Sequence, residues 1–241
     1  MPSETRHLAT VERLVTGFGK KQVLNSVDLH VSAGEIVAVI GHNGAGKSTL
    51  LKAMVGMLPI WAGRVTYDAI PIGRPDPRRL RSMGVAYVPQ GNRVFNELSV
   101  RENLVMGGFV LADRSQLNLA IERVCGLFPE LRPRLAQRAG TLSGGEKQML
   151  ALASGLVVSP RLLLLDEPSL GLAPSLAAST LQMIERISRH SGCGLLIVEQ
   201  KVRDVLQISD RVYVMRNGVV SFSGSAAELR SDTQKLREVF L

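Results

Sequence analysis

One octapeptide, Gly41-His42-Asn43-Gly44-Ala45-Gly46-Lys47-Ser48, constrains this chain more than any other segment. It matches the pattern GxxxxGK[ST], and its flanks are those the pattern requires. The apolar run Ile36 to Ile40 precedes it, introduced by the turn-like Ser32-Ala33-Gly34-Glu35, and reads as a buried strand. Beyond it Leu50, Leu51, Met54 and Val55 recur at helical spacing until Gly56 supplies a stop. A strand, a glycine-rich loop and a helix in that order form a phosphate cradle: backbone N–H groups turn inward around phosphate oxygens, and the helix N-terminus adds partial positive charge. Gly41, His42, Asn43, Gly44, Ala45, Gly46, Lys47, Ser48 and Thr49 are therefore candidate nucleotide contacts. Lys47 is expected to reach the β and γ phosphates, and the Ser48 hydroxyl to ligate Mg²⁺.

A phosphate loop of this kind needs a carboxylate for the metal and a group that orients the attacking water. Leu162-Leu163-Leu164-Leu165-Asp166-Glu167 supplies adjacent acids at the end of an apolar run. Two acids at the mouth of a buried strand are costly to desolvate without a cation. Asp166 is accordingly expected to serve Mg²⁺, mainly through water, and Glu167 to act as general base. The bland alternative is that both only cap the following helix.

The rest of the chain reads as sheet with covering helices. Residues from about Ala9 to Val31 alternate as strands, short strands follow near Arg64 to Tyr67 and Val85 to Val88, and a Pro/Arg-rich stretch separates those two. From about Glu97 to Val158 the periodicity is helical, with Pro129, Pro133 and Gly140 as breakers. The runs Leu162 to Asp166 and Gly194 to Val198 have a helical region between them, a βαβ signature with strands covered on both faces. Asn217-Gly218 between two alternating segments predicts a hairpin, and a short helical tail closes the chain.

Composition excludes several classes. With 45% hydrophobic and 21% charged residues over 241 positions, the chain can bury a sizeable core and is neither disordered nor fibrous. The apolar runs are far short of the ~20 residues of a membrane-spanning helix, and MPSETRHLAT has no apolar segment of the kind that directs secretion. Cys125 and Cys193 stand apart, which predicts a reducing compartment and no zinc site. The balance of 29 Lys+Arg against 21 Asp+Glu gives +8 and admits nucleic acid, phospholipid headgroups or a nucleotide as partner. The groups Arg74/Arg78/Arg79/Arg81 and Arg132/Arg134/Arg138 lack the aromatic interleaving of a single-strand binder, since aromatic residues make up 4% of the chain. They read first as solvated surface, and second as a contact face toward a membrane or partner.

Leu142-Ser143-Gly144-Gly145-Glu146-Lys147-Gln148, with Ser143 lying 23 residues before Asp166, brings the chain to resemble the ABC ATPase family. Locally the segment is also a capping box of Ser143 with Glu146 at a helix start. The resemblance, which runs from about residue 8 to about residue 230, implies an α/β fold: a P-loop NTPase with a RecA-like mixed-sheet core, an N-terminal antiparallel β part and an inserted α-helical subdomain. One domain over residues 1–241 is expected, with the core at about 1–92 and 159–224, the helical subdomain at about 93–158 and the tail at 225–241. It implies ATP and Mg²⁺ as ligands and head-to-tail pairing with a second ATPase subunit. Ser143, Gly144, Gly145 and Glu146 would then meet the γ-phosphate on the partner's loop. It further implies that Phe18 stacks on adenine and that Gln90 serves the metal and water site and links to the transport subunits, while Ser169-Leu170-Gly171-Leu172 touches the opposite subunit.

One position departs from the family: Gln200 stands after Glu199 where a switch histidine is usual. Glutamine can donate to a γ-phosphate but cannot become cationic, so a charge-assisted bond is lost there. With VPQGNRVFNELSVRENL and DEPSLGLAP, this glutamine makes the chain similar to the shorter ATPase subunit of branched-chain amino acid importers. That likeness implies a partner ATPase of a different chain, two membrane-spanning permease subunits and indirectly a periplasmic or extracellular solute-binding protein. It places the chain peripherally on the cytoplasmic face of the membrane, with no nucleic acid as partner. Importers of urea, short-chain amides or other amino acids remain alternatives, as does a regulatory subunit with little turnover. A soluble ABC ATPase on ribosomes or DNA is disfavoured, because one P-loop, one signature and no sustained heptads are present.

Overall fold

The computed structural model describes residues 7–72, 76–111 and 113–240. Arg74 of the first arginine group and the first six residues lie outside them.

The chain opens with an antiparallel hairpin, β1 (His7–Phe18) and β2 (Lys21–Ser32). The apolar run is strand β3 (Ile36–Ile40), and the helix after the glycine-rich loop is α1 (Lys47–Met54). Next come β4 (Ala62–Tyr67), β5 (Ile70–Pro71), α2 (Pro77–Ser82) and β6 (Val85–Val88). Helices α3 (Val100–Gly107), α4 (Arg114–Leu127) and α5 (Gly144–Leu156) follow, with 3₁₀ turns at Pro129–Arg134 and Ala139–Thr141 where the breakers fall. The chain then runs through β7 (Leu162–Asp166), α6 (Pro174–Ser191), β8 (Gly194–Glu199), α7 (Val202–Ile208), β9 (Arg211–Arg216) and β10 (Val219–Ser225) to α8 (Ala226–Ser231) and α9 (Thr233–Phe240).

Two sheets result. Strands β2-β1-β4-β5 form an antiparallel sheet, and β10-β9-β3-β8-β7-β6 form a six-stranded one that is parallel except for the terminal β9–β10 hairpin. Strand side chains alternate between faces, and burial on both faces explains why β3 is apolar throughout and β7 and β8 are apolar up to their terminal Asp166 and Glu199. Ile36, Ala38, Ile40, Leu163, Leu165, Leu195 and Ile197 share one buried cluster with Leu104, Ile121, Phe128 and Leu152 of the helical segment. The intervening Val37, Val39, Leu162, Leu164, Leu196 and Val198 share another with Leu50, Leu51 and Met54 of α1 and with the antiparallel sheet. Each fully buried Leu or Ile contributes about 1.5–3 kcal/mol, so covering both faces holds the three layers together.

Two elements, α2 and β5, fall in the stretch the sequence pattern left as a connection. Asp76 accepts from the Arg78 N–H and Pro77 occupies the first turn, a start signal that six residues of helix suffice to use. Arg81 corrects the reading of its group as solvated surface. Its guanidinium is carried inward to the carbonyls of Gly107 and Ser154, tying α2 to α3 and α5, because those helix ends offer carbonyls that lack intrahelical donors. Arg132 and Arg134 pair with Glu122 and Glu146 at 2.8 Å each, and Arg138 pairs with Glu97, which lowers the free positive charge of the second group. Among the described residues no helix is long and apolar enough to cross a membrane.

The registers align the carboxyl ends of the central strands: Ile40 lies opposite Glu199, Asp166 opposite Val198, and Val88 opposite Leu165. The segments leaving those ends carry the glycine-rich loop, Glu167, Gln200 and Gln90. In open α/β sheets that edge is where ligands bind.

Candidate nucleotide site

At that edge lies a cavity of about 640 Å³ lined by Phe18, Asn43, Gly44, Gly46, Lys47, Ser48, Thr49, Gln90, Glu167 and Gln200, together with Lys21, Gln22, Val23 and Asn217. The first ten are residues the sequence nominates. Gly46 caps α1 with φ 103°, a backbone conformation that L side chains rarely adopt, and a Cβ there would also crowd a Leu24 methyl at 2.6 Å, so glycine lets the loop turn into the helix without strain. Lys47 is buried, and its ammonium bonds back to the Gly41 and His42 carbonyls at 2.8 and 3.1 Å. Gly41, His42 and Ala45 do not line the cavity; they form the part of the loop that holds Lys47 and meets the β9–β10 hairpin, where the Gly218 N–H donates to the Ala45 carbonyl at 3.0 Å. Burial pulls Lys47 below the ordinary lysine range, opposed by the charges of Glu167, Asp166 and Glu199.

The two acids sit beside the phosphate loop. Asp166 and Glu167 are 3% and 5% exposed. The Ser48 hydroxyl donates to Asp166 Oδ1 at 2.8 Å and the Tyr87 hydroxyl to Oδ2 at 3.2 Å, yet burial still raises the Asp166 carboxyl above its usual range. Glu167 adopts a left-handed conformation (φ 49°) that turns it away from the strand line and into the cavity. Its two oxygens are gripped from opposite sides, Oε2 by the Gln90 amide at 2.7 Å and Oε1 by the Gln200 amide at 2.6 Å.

Among the described residues no cluster of three His, Cys, Asp or Glu side chains is placed to hold a metal unaided. The Ser48 hydroxyl, the Asp166 carboxylate and the Gln90 carbonyl are nonetheless hard oxygen donors. Such a partial set suits Mg²⁺, which keeps waters and takes further ligands from phosphate.

Ser143 to Glu146 lie elsewhere. Ser143 caps α5 in a reciprocal box: its oxygen accepts from the Glu146 N–H at 3.3 Å while Glu146 accepts from the Ser143 N–H at 2.8 Å. Those bonds hold the Glu146 carboxyl below the usual range. None of the four lines the cavity.

Sequence reasoning missed Lys21, Gln22, Val23 and Asn217 of the lining, and it missed Tyr87 and Glu199 behind it. Asn217-Gly218 was visible as a turn, with φ 49° and 81° as that hairpin demands, but nothing local showed that its tip abuts the phosphate loop.

A phosphate loop and a paired Asp-Glu at the carboxyl edge of a parallel sheet define a P-loop nucleotide-triphosphate site. A family model for the ABC transporter matches residues 24–170. The chain is 42% identical over 235 residues to the high-affinity branched-chain amino acid transport ATP-binding protein BraG of Pseudomonas aeruginosa, covering 97% of this chain and 99% of that one. It is 38% identical to the probable branched-chain amino acid transport ATP-binding protein LivF of Archaeoglobus fulgidus (90% and 92% covered), and 32% identical to the lipopolysaccharide export system ATP-binding protein LptB of Escherichia coli (96% and 96%). Among solved structures, a nucleotide-free ATP-binding cassette from an ABC transporter superposes with TM-score 0.85 at 26% identity, covering 98% of this chain and 99% of that one. Another, an ATP-binding cassette of an ABC transporter in its ADP conformation, gives 0.84 at 27%, covering 97% and 98%. The chain belongs to the ABC transporter family and is an ATP-binding, ATP-hydrolysing member of it.

Proposed function

We propose that the chain is the nucleotide-binding subunit of a membrane importer for branched-chain amino acids, seated peripherally on the cytoplasmic face. The observation that carries the solute class is the 42% identity with BraG across 97% of this chain, ten points above the identity with the lipopolysaccharide exporter's subunit.

In this reading Phe18, half exposed at the cavity mouth, stacks on adenine. The amides of the glycine-rich loop take the phosphates, and Lys47 exchanges its two loop carbonyls for phosphate oxygens, so its charge is spent on ligand rather than on water. Ser48, the Gln90 carbonyl and, mainly through water, Asp166 would hold Mg²⁺, which would supply positive charge against the phosphates. Glu167 accepts a proton from water as the water oxygen bonds to the γ-phosphorus and the bond to the bridging oxygen breaks, leaving ADP and phosphate. Gln90 and Gln200 fix the carboxylate and stay neutral throughout. Ser143, Gly144, Gly145 and Glu146 lie outside their own chain's cavity, which supports completion of the site by a second ATPase subunit placed head to tail. The domain limits already given, with a helical part at about 93–158 that meets the two permeases near Gln90, belong to the same proposal.

The test is reconstitution in vesicles with a second ATPase subunit, two permeases and a solute-binding protein. ATP-driven uptake of leucine, isoleucine and valine is expected, with urea and acetamide left outside. Uptake of urea alone, or failure of the tagged chain to retain any multi-spanning protein, overturns the assignment.

A further inference from the structure

We propose that Glu199 is a positioning residue for hydrolysis: its buried carboxylate ties the loop after Glu167 to the strand end that carries Gln200, and thereby sets the two-sided grip on the Glu167 carboxylate. This rests on the reading of Glu167 as the proton acceptor.

Glu199 closes β8, is 1% exposed and does not line the nucleotide cavity, so it has no direct access to substrate. Three backbone donors converge on it instead. Oε1 accepts from the Ser169 N–H at 2.8 Å, and Oε2 accepts from the Gln200 N–H at 3.0 Å and the Lys201 N–H at 3.4 Å. The next residue but one completes the clamp in the opposite sense. The Lys201 ammonium donates to the Ser169 and Leu172 carbonyls, each at 3.3 Å. One acid and one base therefore stitch residues 169–172 to residues 199–201, with the acid taking N–H groups and the base taking carbonyls.

Burying a carboxylate is expensive, and an apolar side chain would pack a strand end at lower cost. What the carboxylate provides is geometry. The fully buried Ser169 is held to the same carboxylate, its N–H on Glu199 Oε1, while the Lys201 ammonium donates to its carbonyl, so the loop is fixed from both sides of one residue. Glu167 begins that loop in a left-handed conformation that a non-glycine residue keeps only when its surroundings hold it. Its N–H bond to the Val198 carbonyl at 2.9 Å fixes one end of the loop, and the clamp fixes the other. Gln200 follows Glu199 directly, so the backbone bond that seats Gln200 and the one that seats the loop end on the two oxygens of a single carboxylate.

Glu199→Gln keeps the size but replaces one accepting oxygen by an NH₂ that faces N–H donors, so one side of the clamp must open. The test measures kcat and KM of the assembled transporter, equilibrium ATP binding to the full chain, and thermal melting, for Glu199→Gln and for the half-buried Lys201→Met. The expected result is kcat reduced about tenfold in Glu199→Gln and about threefold in Lys201→Met, with ATP affinity within about twofold of wild type. Combined with Glu167→Gln, neither variant lowers kcat further, since the base they position is already gone. Unchanged kcat in both variants overturns the proposal, as does a loss carried entirely by KM and Kd, or losses that multiply in the double variants. If Glu199→Gln fails to fold, an unchanged kcat in Lys201→Met is enough to overturn it. A wild-type complex that hydrolyses no ATP instead defeats the reading of Glu167; the clamp is then judged by amide hydrogen exchange. Faster exchange at Ser169 and Gln200 in Glu199→Gln supports it and unchanged exchange refutes it.

Discussion

Replacing Glu167 by glutamine separates what its carboxylate does for structure from what it does for chemistry. The side chain keeps its length, and its carbonyl still accepts one of the two amide bonds, from Gln90 at 2.7 Å or Gln200 at 2.6 Å. The new NH₂ meets the other glutamine, whose own amide can turn to present oxygen instead of nitrogen, so both bonds survive with the same geometry. The structural cost is at most that of one weakened hydrogen bond, about 1 kcal/mol. The chemical cost is larger, because an amide cannot take the proton that water loses. Positioned general bases contribute about 10²–10⁴ in rate, which at 1.36 kcal/mol per decade is about 3–5 kcal/mol of barrier. ATP affinity is not expected to fall, since the change removes a negative charge from beside the phosphate loop. The assay is steady-state ATPase of the assembled complex, run alongside equilibrium ATP binding and a melting curve. Turnover within about threefold of wild type, with binding and melting unchanged, refutes the assignment of Glu167 as base and transfers that role to the γ-phosphate itself or to water.

Phe18→Ala should weaken ATP about tenfold while leaving the melting temperature unchanged, because Phe18 is 49% exposed and stacking on a base is worth about 1–3 kcal/mol; isothermal titration checks it. Asp166→Asn should raise the melting temperature in the absence of Mg²⁺ and ATP. The folded-state pKa of Asp166 lies above the ordinary value of 3.8, so ionisation destabilises the native state. That penalty is absent below the ordinary value, grows as pH rises through the folded one and is constant beyond it, so the gain of the variant should be full at neutral pH and gone in acid. The same variant should lose Mg²⁺-dependent turnover. Gly218→Ala should lower the melting temperature by about 5 °C and weaken ATP binding, since the added carbon would stand 1.9 Å from the Val23 carbonyl at a backbone φ of 81°, behind the phosphate loop it braces; a cost of about 2 kcal/mol at this size gives that shift.

The parts of this molecule that were legible in the sequence are those whose physics is local. The glycine-rich loop, the apolar strands and the capping box of Ser143 each carry their whole signal within about eight residues. Asp166 and Glu167 stood out because two acids at the end of an apolar run are costly to desolvate, and the structure buries both, Asp166 against Ser48 of the phosphate loop and Glu167 in the cavity lining. Gln200 was noticed as the absence of a histidine, yet its partnership with Glu167, 33 residues away, exists only once β7 and β8 pair in parallel. Gln90 reaches the same carboxylate from 77 residues away, and the sequence carries nothing that measures such a distance. Arg81 misled for the complementary reason: an arginine among arginines looks solvated until a neighbouring helix end presents carbonyls with no other donor.

Glu199 is the instructive case. As the last residue of an apolar run it resembles Asp166 in pattern, an acid at a strand mouth, and by pattern alone the two have equal claim on a cation. The structure divides them by what surrounds each. Asp166 meets hydroxyls and lines up with the phosphate loop, whereas Glu199 takes three backbone N–H groups and does not line the cavity. Burial raises both carboxyls, so their titration does not tell the roles apart. The identity of the donors does. A hydroxyl can rotate and give up its bond to a metal or a phosphate, while a backbone N–H fixed by the strand cannot. An acid held by hydroxyls is therefore poised to bind, and an acid held by amides is committed to shape.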